Sequence, residues 1–302
     1  MELSWPMRLR ITAAAATGVI LIGILAWPLS APSEPLDAVR VGSINFSGKV
    51  TLAILACLAG FIGYFVSWPY GREIGILAAP SGLAVWAGRS GSMATLMQLN
   101  PTLSQRQALF AAIKWEAIFW LFIVAAGFAG VLAAQKIISN PSEADPTEEQ
   151  DKPSFKSNMY LNAAIALIGS VLISQFFIGI FAQDVRCPDS QSGSVVGQPA
   201  IGQIIFAVLV SFGLVAFLSK MFLDVSYIWP SIASGLVTAL GITIYAKQNQ
   251  LEHLVESWPA VFFSNSVLSI LPVQMVAFGT LGSIAGYWLA IRYSYWRKNE
   301  AQ

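Results

Sequence analysis

Charged side chains in this chain stand at the ends of its long apolar stretches rather than in their middles. Arg72 and Glu73 are adjacent, Lys114 and Glu116 are two apart, and Lys220 and Asp224 have the four-residue spacing that puts two side chains on one helix face. An ion inside hydrocarbon is costly unless paired or hydrated, which makes an intramembrane charge the usual marker of a transport path. Here each pair can neutralise itself at a boundary, so the expectation is interfacial ion pairs that fix depth. The deeper polar groups are uncharged: Asn162, Gln175, Gln203 and Gln274, all in the second half of the chain. They are the candidate lining of a polar cavity, with hydrogen bonding between helices as the other use of such groups.

Other chemistry is thin. His253 is the only histidine, so a zinc site built on paired imidazoles is excluded, and its polar surroundings from Gln248 to Glu252 read as a solvated loop. Gly88-Arg89-Ser90-Gly91 is similar to the Gly-x-Ser-Gly motif of rhomboid intramembrane proteases, but those enzymes carry their histidine on a membrane helix. Cys57 in an apolar stretch and Cys187 in a polar one read as free thiols. No nucleotide loop, Cys-x-x-Cys pair or haem signature occurs, so no cofactor is expected. With 17 basic and 16 acidic residues and no basic cluster, nucleic acid is not an expected partner.

The elements that would carry these residues are membrane helices. Apolar residues are 56% and charged residues 11% of the chain, far from the roughly 25% charged of a soluble domain. Crossing a hydrocarbon core takes about 20 apolar residues in a helix, because every backbone amide must be bonded within the segment. Such stretches fall at 11–29, 50–67, 69–88, 115–135, 159–182, 201–222, 229–246 and 273–292. The fold class is therefore all-α, a polytopic helical membrane protein of about eight crossings. Segment 69–88 is the weakest, with Pro80 in its middle, and could span or re-enter. Eight crossings with an inner N-terminus put ten of the 17 basic residues on the inner side, as the positive-inside rule favours. Both termini are then cytoplasmic, in a plasma membrane of the bacterial inner type.

The eight segments divide into four and four. Residues 1–135 form one membrane half and 159–302 the other, joined by a solvated acidic and proline-rich linker at 136–158. Three blocks recur between the halves. Met7, Leu9, Ala14 and Val19 return 152 residues on, as do Val124, Ala125, Gly127 and Gly130, while Ser81-Gly82-Leu83 returns after 153. An even number of crossings per half makes this a parallel tandem repeat about an axis along the membrane normal. Five Trp-Pro pairs, at 5, 27, 68, 229 and 258, mark membrane boundaries. Ala126, Gly130 and Ala134, and likewise Gly282, Gly286 and Ala290, form small-residue stripes that let helix backbones approach. Their partner would be a helix of the same chain, a second copy, or another membrane subunit, and the bilayer is the partner of the whole. A transport- or channel-like protein that binds or moves a small solute is the expected function. The alternative is a non-catalytic structural or assembly subunit of a membrane complex, and a membrane enzyme has least support.

Overall fold

A computed structural model describes residues 4–29, 38–138 and 156–300. Among the described residues seven helices are long and apolar enough to cross a membrane: Trp5–Leu29, Phe46–Val66, Leu103–Ile138, Tyr160–Phe181, Ile201–Leu223, Ile228–Tyr245 and Pro272–Lys298. We number the elements α1 (Trp5–Gly18), α2 (Phe46–Val66), α3 (Gly71–Ile74), α4 (Ala78–Arg89), α5 (Met93–Leu99), α6 (Leu103–Ile138), α7 (Lys156–Phe181), α8 (Ile201–Leu223), α9 (Ile228–Tyr245), α10 (Gln248–Ser257) and α11 (Pro272–Glu300). Helix α1 continues as a π-helical stretch, Val19–Leu25. The protein is all-α and multi-pass, with a small three-stranded sheet, β1 (Arg186–Asp189), β2 (Gly193–Gly197) and β3 (Phe262–Phe263), outside the bundle. Most of the linker, residues 139–155, lies outside the described residues.

The segment expected at 69–88 is helical but jointed. It runs as α3, a 3-10 turn at Gly75–Leu77, and α4. Pro80 has no amide hydrogen to give the carbonyl of Ile76, and the helix tightens where that bond is missing. Among the described residues there are thus seven long apolar helices and this jointed one. It lies alongside helix one, pointing the same way. Arg10 sits over the Tyr70 ring at one end, the Gly18 and Gly82 backbones meet in the middle, and at the other end Trp86 donates to the Ile22 carbonyl at 2.7 Å and packs edge-on to Trp27. From Arg10 to Trp27 is roughly 25 Å of helix.

Helices α2 and α6 also run in the same direction. Glu116 in the first half of α6 faces the chain leading into α2, and Tyr64 near the end of α2 packs with Val131 and Ala134 near the end of α6. Between them the backbones nearly touch: a Cβ on Gly130 would overlap the Cys57 carbonyl oxygen, and one on Gly60 the Gly127 carbonyl oxygen. In the second half α8 and α11 do the same, Gly282 against the Leu209 carbonyl and Gly286 against that of Gly213. Gly130 and Gly282, and Cys57 and Leu209, are each 152 residues apart. Burial follows the same offset. Ala14, Ile22 and Ala26 are buried in the first helix, and Ala166, Ser174 and Ile178 in α7, while Leu52, Ala56 and Ala59 in α2 match Ile204, Val208 and Ser211 in α8.

Helices α4 and α9 match at 155 instead, with Ala78, Ala79, Leu83 and Ala87 buried in one and Ala233, Ser234, Thr238 and Ile242 in the other. The sequence match of Ser81-Gly82-Leu83 with Ser234-Gly235-Leu236 is therefore two residues out of spatial step. Gly82 abuts Gly18, whereas Gly235 abuts Leu121 of α6. The halves meet crosswise, α4 on α11, α6 on α9, and α6 on α11, around one apolar core that includes Trp86, Trp120, Phe212 and Phe278.

At the end of the bundle where the first helix finishes, α5, α10 and the sheet form a cap. The hairpin β1–β2 arises in a stretch that reads as loop by composition. The Asp189 carboxylate binds the amides of Gln191 and Ser192, closing the turn, and Gly193 takes the positive φ of 69° that the reversal needs.

Candidate functional site

A polar recess of about 410 Å³ lies where the C-terminal end of α7 meets the cap. One wall is α7, with Gln175 and Gly179, continued by Gln183 just beyond its end. Hairpin residues Arg186 and Ser194 form a second wall, and Tyr245 with Ser264 to Ser266 a third. Arg186 donates its Nε to the Ser194 hydroxyl at 3.0 Å, which orients the guanidinium. The buried Gln175 Nε2 has no hydrogen-bond partner. A buried donor left unbonded costs free energy on the order of 1–3 kcal/mol, so a group that accepts from it is favoured there.

Of the four deep polar residues, only Gln175 reaches this recess. Asn162 donates to the Leu223 carbonyl at the opposite end of α7, at 3.3 Å. Gln203 donates to the Phe181 and Gln183 carbonyls, both at 2.9 Å, satisfying the end of α7. Gln274 bridges the halves. Its oxygen accepts from the Leu271 amide, and its nitrogen donates to the Ala87 carbonyl and the Ser90 hydroxyl at 3.3 and 3.4 Å. The four do not share one cavity.

Lys220 and Asp224 form an ion pair, with the ammonium 5.3 Å above the Tyr287 ring. Lys114 lies over the Trp115 ring, while Glu116 is enclosed against the amides of Val41 and Gly42 beside Arg40. Arg72 and Glu73 are both exposed. Of the three expected pairs, only Lys220 and Asp224 form a salt bridge among the described residues. On the packing stripes, Gly130, Gly282 and Gly286 each meet a backbone carbonyl of the same chain, Ala134 and Ala290 are buried, and Ala126 is half-buried. Gly60 and Gly127 complete the α2–α6 contact and lie outside the Ala126-Gly130-Ala134 stripe.

His253 is not a solvated loop residue. It stands on α10 with a side chain 12% exposed, its Nε2 2.8 Å from Asp189 Oδ1. Trp258 donates to the same oxygen at 2.9 Å. These donors, His253 foremost and then the Ser192 amide, hold the Asp189 carboxyl well below the usual carboxylate range against the opposing effect of burial. Ser257 Oγ is 3.4 Å from His253 Nδ1 but exposed, and the cluster ties the hairpin to α10. Ser90 of the Gly-x-Ser-Gly stretch is fully buried and donates to the Ala87 carbonyl, far along the chain from His253 and bonded elsewhere.

Sequence reasoning missed Arg186, Ser194 and Asn265, because a recess assembled from a hairpin, a helix end and a turn leaves no spacing in the sequence. Among the described residues no cluster of three His, Cys, Asp or Glu side chains could hold a metal ion. Compared with known proteins, the chain matches no family model, no curated protein and no solved structure.

Proposed function

We propose that the chain is an eight-crossing membrane protein of two tandem four-helix halves, which takes a solute into the recess on its outer face as a transport-type protein. The parallel course of α2 and α6 supports the eighth crossing. A chain that leaves α2 at one face and enters α6 at the other must return between them, and residues 71–89 are the helical stretch available. With the N-terminus inside, the cap and the recess face outward and the ends of α6 and α11 face inward. The common offsets of burial and of glycine contacts support a parallel tandem repeat about an axis normal to the membrane.

The observation that carries the functional reading is the recess with its unpartnered Gln175 amide, about 9 Å of helix below the outer end of α7 at Phe181. Transport requires that such a site be reached from both sides in turn. A Gln175→Cys variant, with Cys57 and Cys187 replaced by Ser, should react with a membrane-impermeant maleimide added outside. In oriented vesicles it should also react, more slowly, with reagent confined inside. Reaction from outside only would remove transport and leave a non-transporting subunit that binds its solute on one face.

A further inference from the structure

We infer that the recess holds the anionic headgroup of a lipid drawn from the outer leaflet, and that it is open because Gly179 stands where the first half has the Trp27 indole. This deepens the reading of the recess as a binding site and rests on it. In the first half Trp27 and Trp86 pack edge-on at 6.0 Å where the first helix and α4 end side by side, and Arg89 stacks 4.3 Å above the Trp27 ring. Trp86 is fully buried. At the 152-residue offset of the first helix and α7, Trp27 corresponds to Gly179. At the 155-residue offset of α4 and α9, Trp86 corresponds to Gly241. A Cβ at Gly179 would meet nothing within 4 Å, and Gly241 has become the seat of Val267 from the cap. Val267 thus takes the place of one indole, and only the place of the other, at Gly179, opens into the recess.

The walls of the opening differ in kind. Leu172, Phe176 and Ile180, on the side of α7 away from the bundle, are 63, 64 and 51% exposed and continue the recess down the lipid-facing surface. A water-soluble solute has no use for that wall, whereas an acyl chain does. Toward the cap stands Arg186, whose Nε is held by Ser194 while its paired Nη donors are left for a ligand. That planar fork suits a phosphate or carboxylate bound through two oxygens. The nearby carboxylate Asp184 accepts from the Ala200 amide, and Asp189 is enclosed by its own donors. Gln175 lines the same recess about 9 Å of helix before the end of α7, and its buried amide nitrogen has no hydrogen-bond partner.

The test is native mass spectrometry of the full chain, released from vesicles of equal parts palmitoyl-oleoyl phosphatidylglycerol and palmitoyl-oleoyl phosphatidylcholine. The wild type should retain one phosphatidylglycerol, about tenfold over phosphatidylcholine, as expected for a charge-assisted paired contact. Arg186→Gln should keep a bound lipid but lose the preference. Gly179→Trp, which restores the indole into open space, should lose the lipid, while Gly169→Trp, also on α7 and also facing open space, should retain it. Equal retention of both lipids by the wild type, or retention by Gly179→Trp equal to that of Gly169→Trp, overturns the inference. Glycerol phosphate slowing maleimide reaction of Gln175→Cys without lipid retention would keep the recess as a solute site and discard only the lipid. Neither effect would discard both.

Discussion

At the scale of residues, Asp189 links the cap to pH. Its carboxyl is held ionised by the His253 ring, the Trp258 indole and two turn amides, so its folded pKa lies below the ordinary value of about 3.9. A depressed carboxylate contributes stability fully above the unfolded pKa and loses it as pH falls through the folded one. Wild-type protein should therefore melt at progressively lower temperature below about pH 4. Asp189→Asn, already lower at neutral pH, should change less across that window. Parallel melting curves for the two would show that the carboxylate is not what couples the cap to pH. This cluster was not legible in the sequence, since Asp189 and His253 are 64 residues apart and joined only by the fold. The four deep amides were legible as polar groups in apolar helices. Their destinations were not, because Gln203 and Gln274 bond carbonyls at the ends of other helices, which composition does not reveal.

At the scale of elements, close backbone approach is the device that holds each half together. Membrane helices gain little from burying apolar surface against one another, so direct packing and small residues decide the contact. Adding one methyl at Gly130 or Gly286 forces α6 from α2, or α11 from α8, because a carbonyl oxygen occupies the place of the new Cβ. Either Ala substitution should cost about 1–3 kcal/mol in unfolding from mixed micelles. Gly169→Ala, with open space before it, should stay within about 0.5 kcal/mol of wild type. Equal costs at all three would remove the contact as the cause. The Gly and Ala spacing announced these faces, and hydropathy placed the long helices within a few residues. What it missed was length where no apolar signal exists: α6 begins at Leu103 instead of 115 because Leu103 to Lys114 has no Pro or Gly to stop it. The hairpin was missed for the converse reason, a strand pair only four to five residues long among polar neighbours.

At the scale of the molecule, the crossing number sets which face each loop occupies. A Gln191→Cys variant at the exposed tip of the hairpin, with Cys187 replaced by Ser, should be labelled by impermeant maleimide on intact cells, and Ser226→Cys only after the membrane is opened. The reverse pattern would place the N-terminus on the outer face and overturn this orientation. The contact faces at Gly130 and Gly282 were readable from a few small residues, but the burial register of α4 against α9 was not. A two-residue slip is invisible where Gly and Ala are common, and only burial distinguishes 155 from 153. One further consequence lies in α11. It is the least apolar of the seven spans, with a mean hydropathy of 1.2, and the most enclosed, at 67% buried. A helix of that composition enters bilayer reluctantly by itself, and in this chain it is synthesised after the four helices that embrace it, α4, α6, α8 and α9. Biogenesis is thereby ordered: the earlier helices must already be inserted and grouped to receive α11, so the two halves close into one body only when translation has passed Pro272.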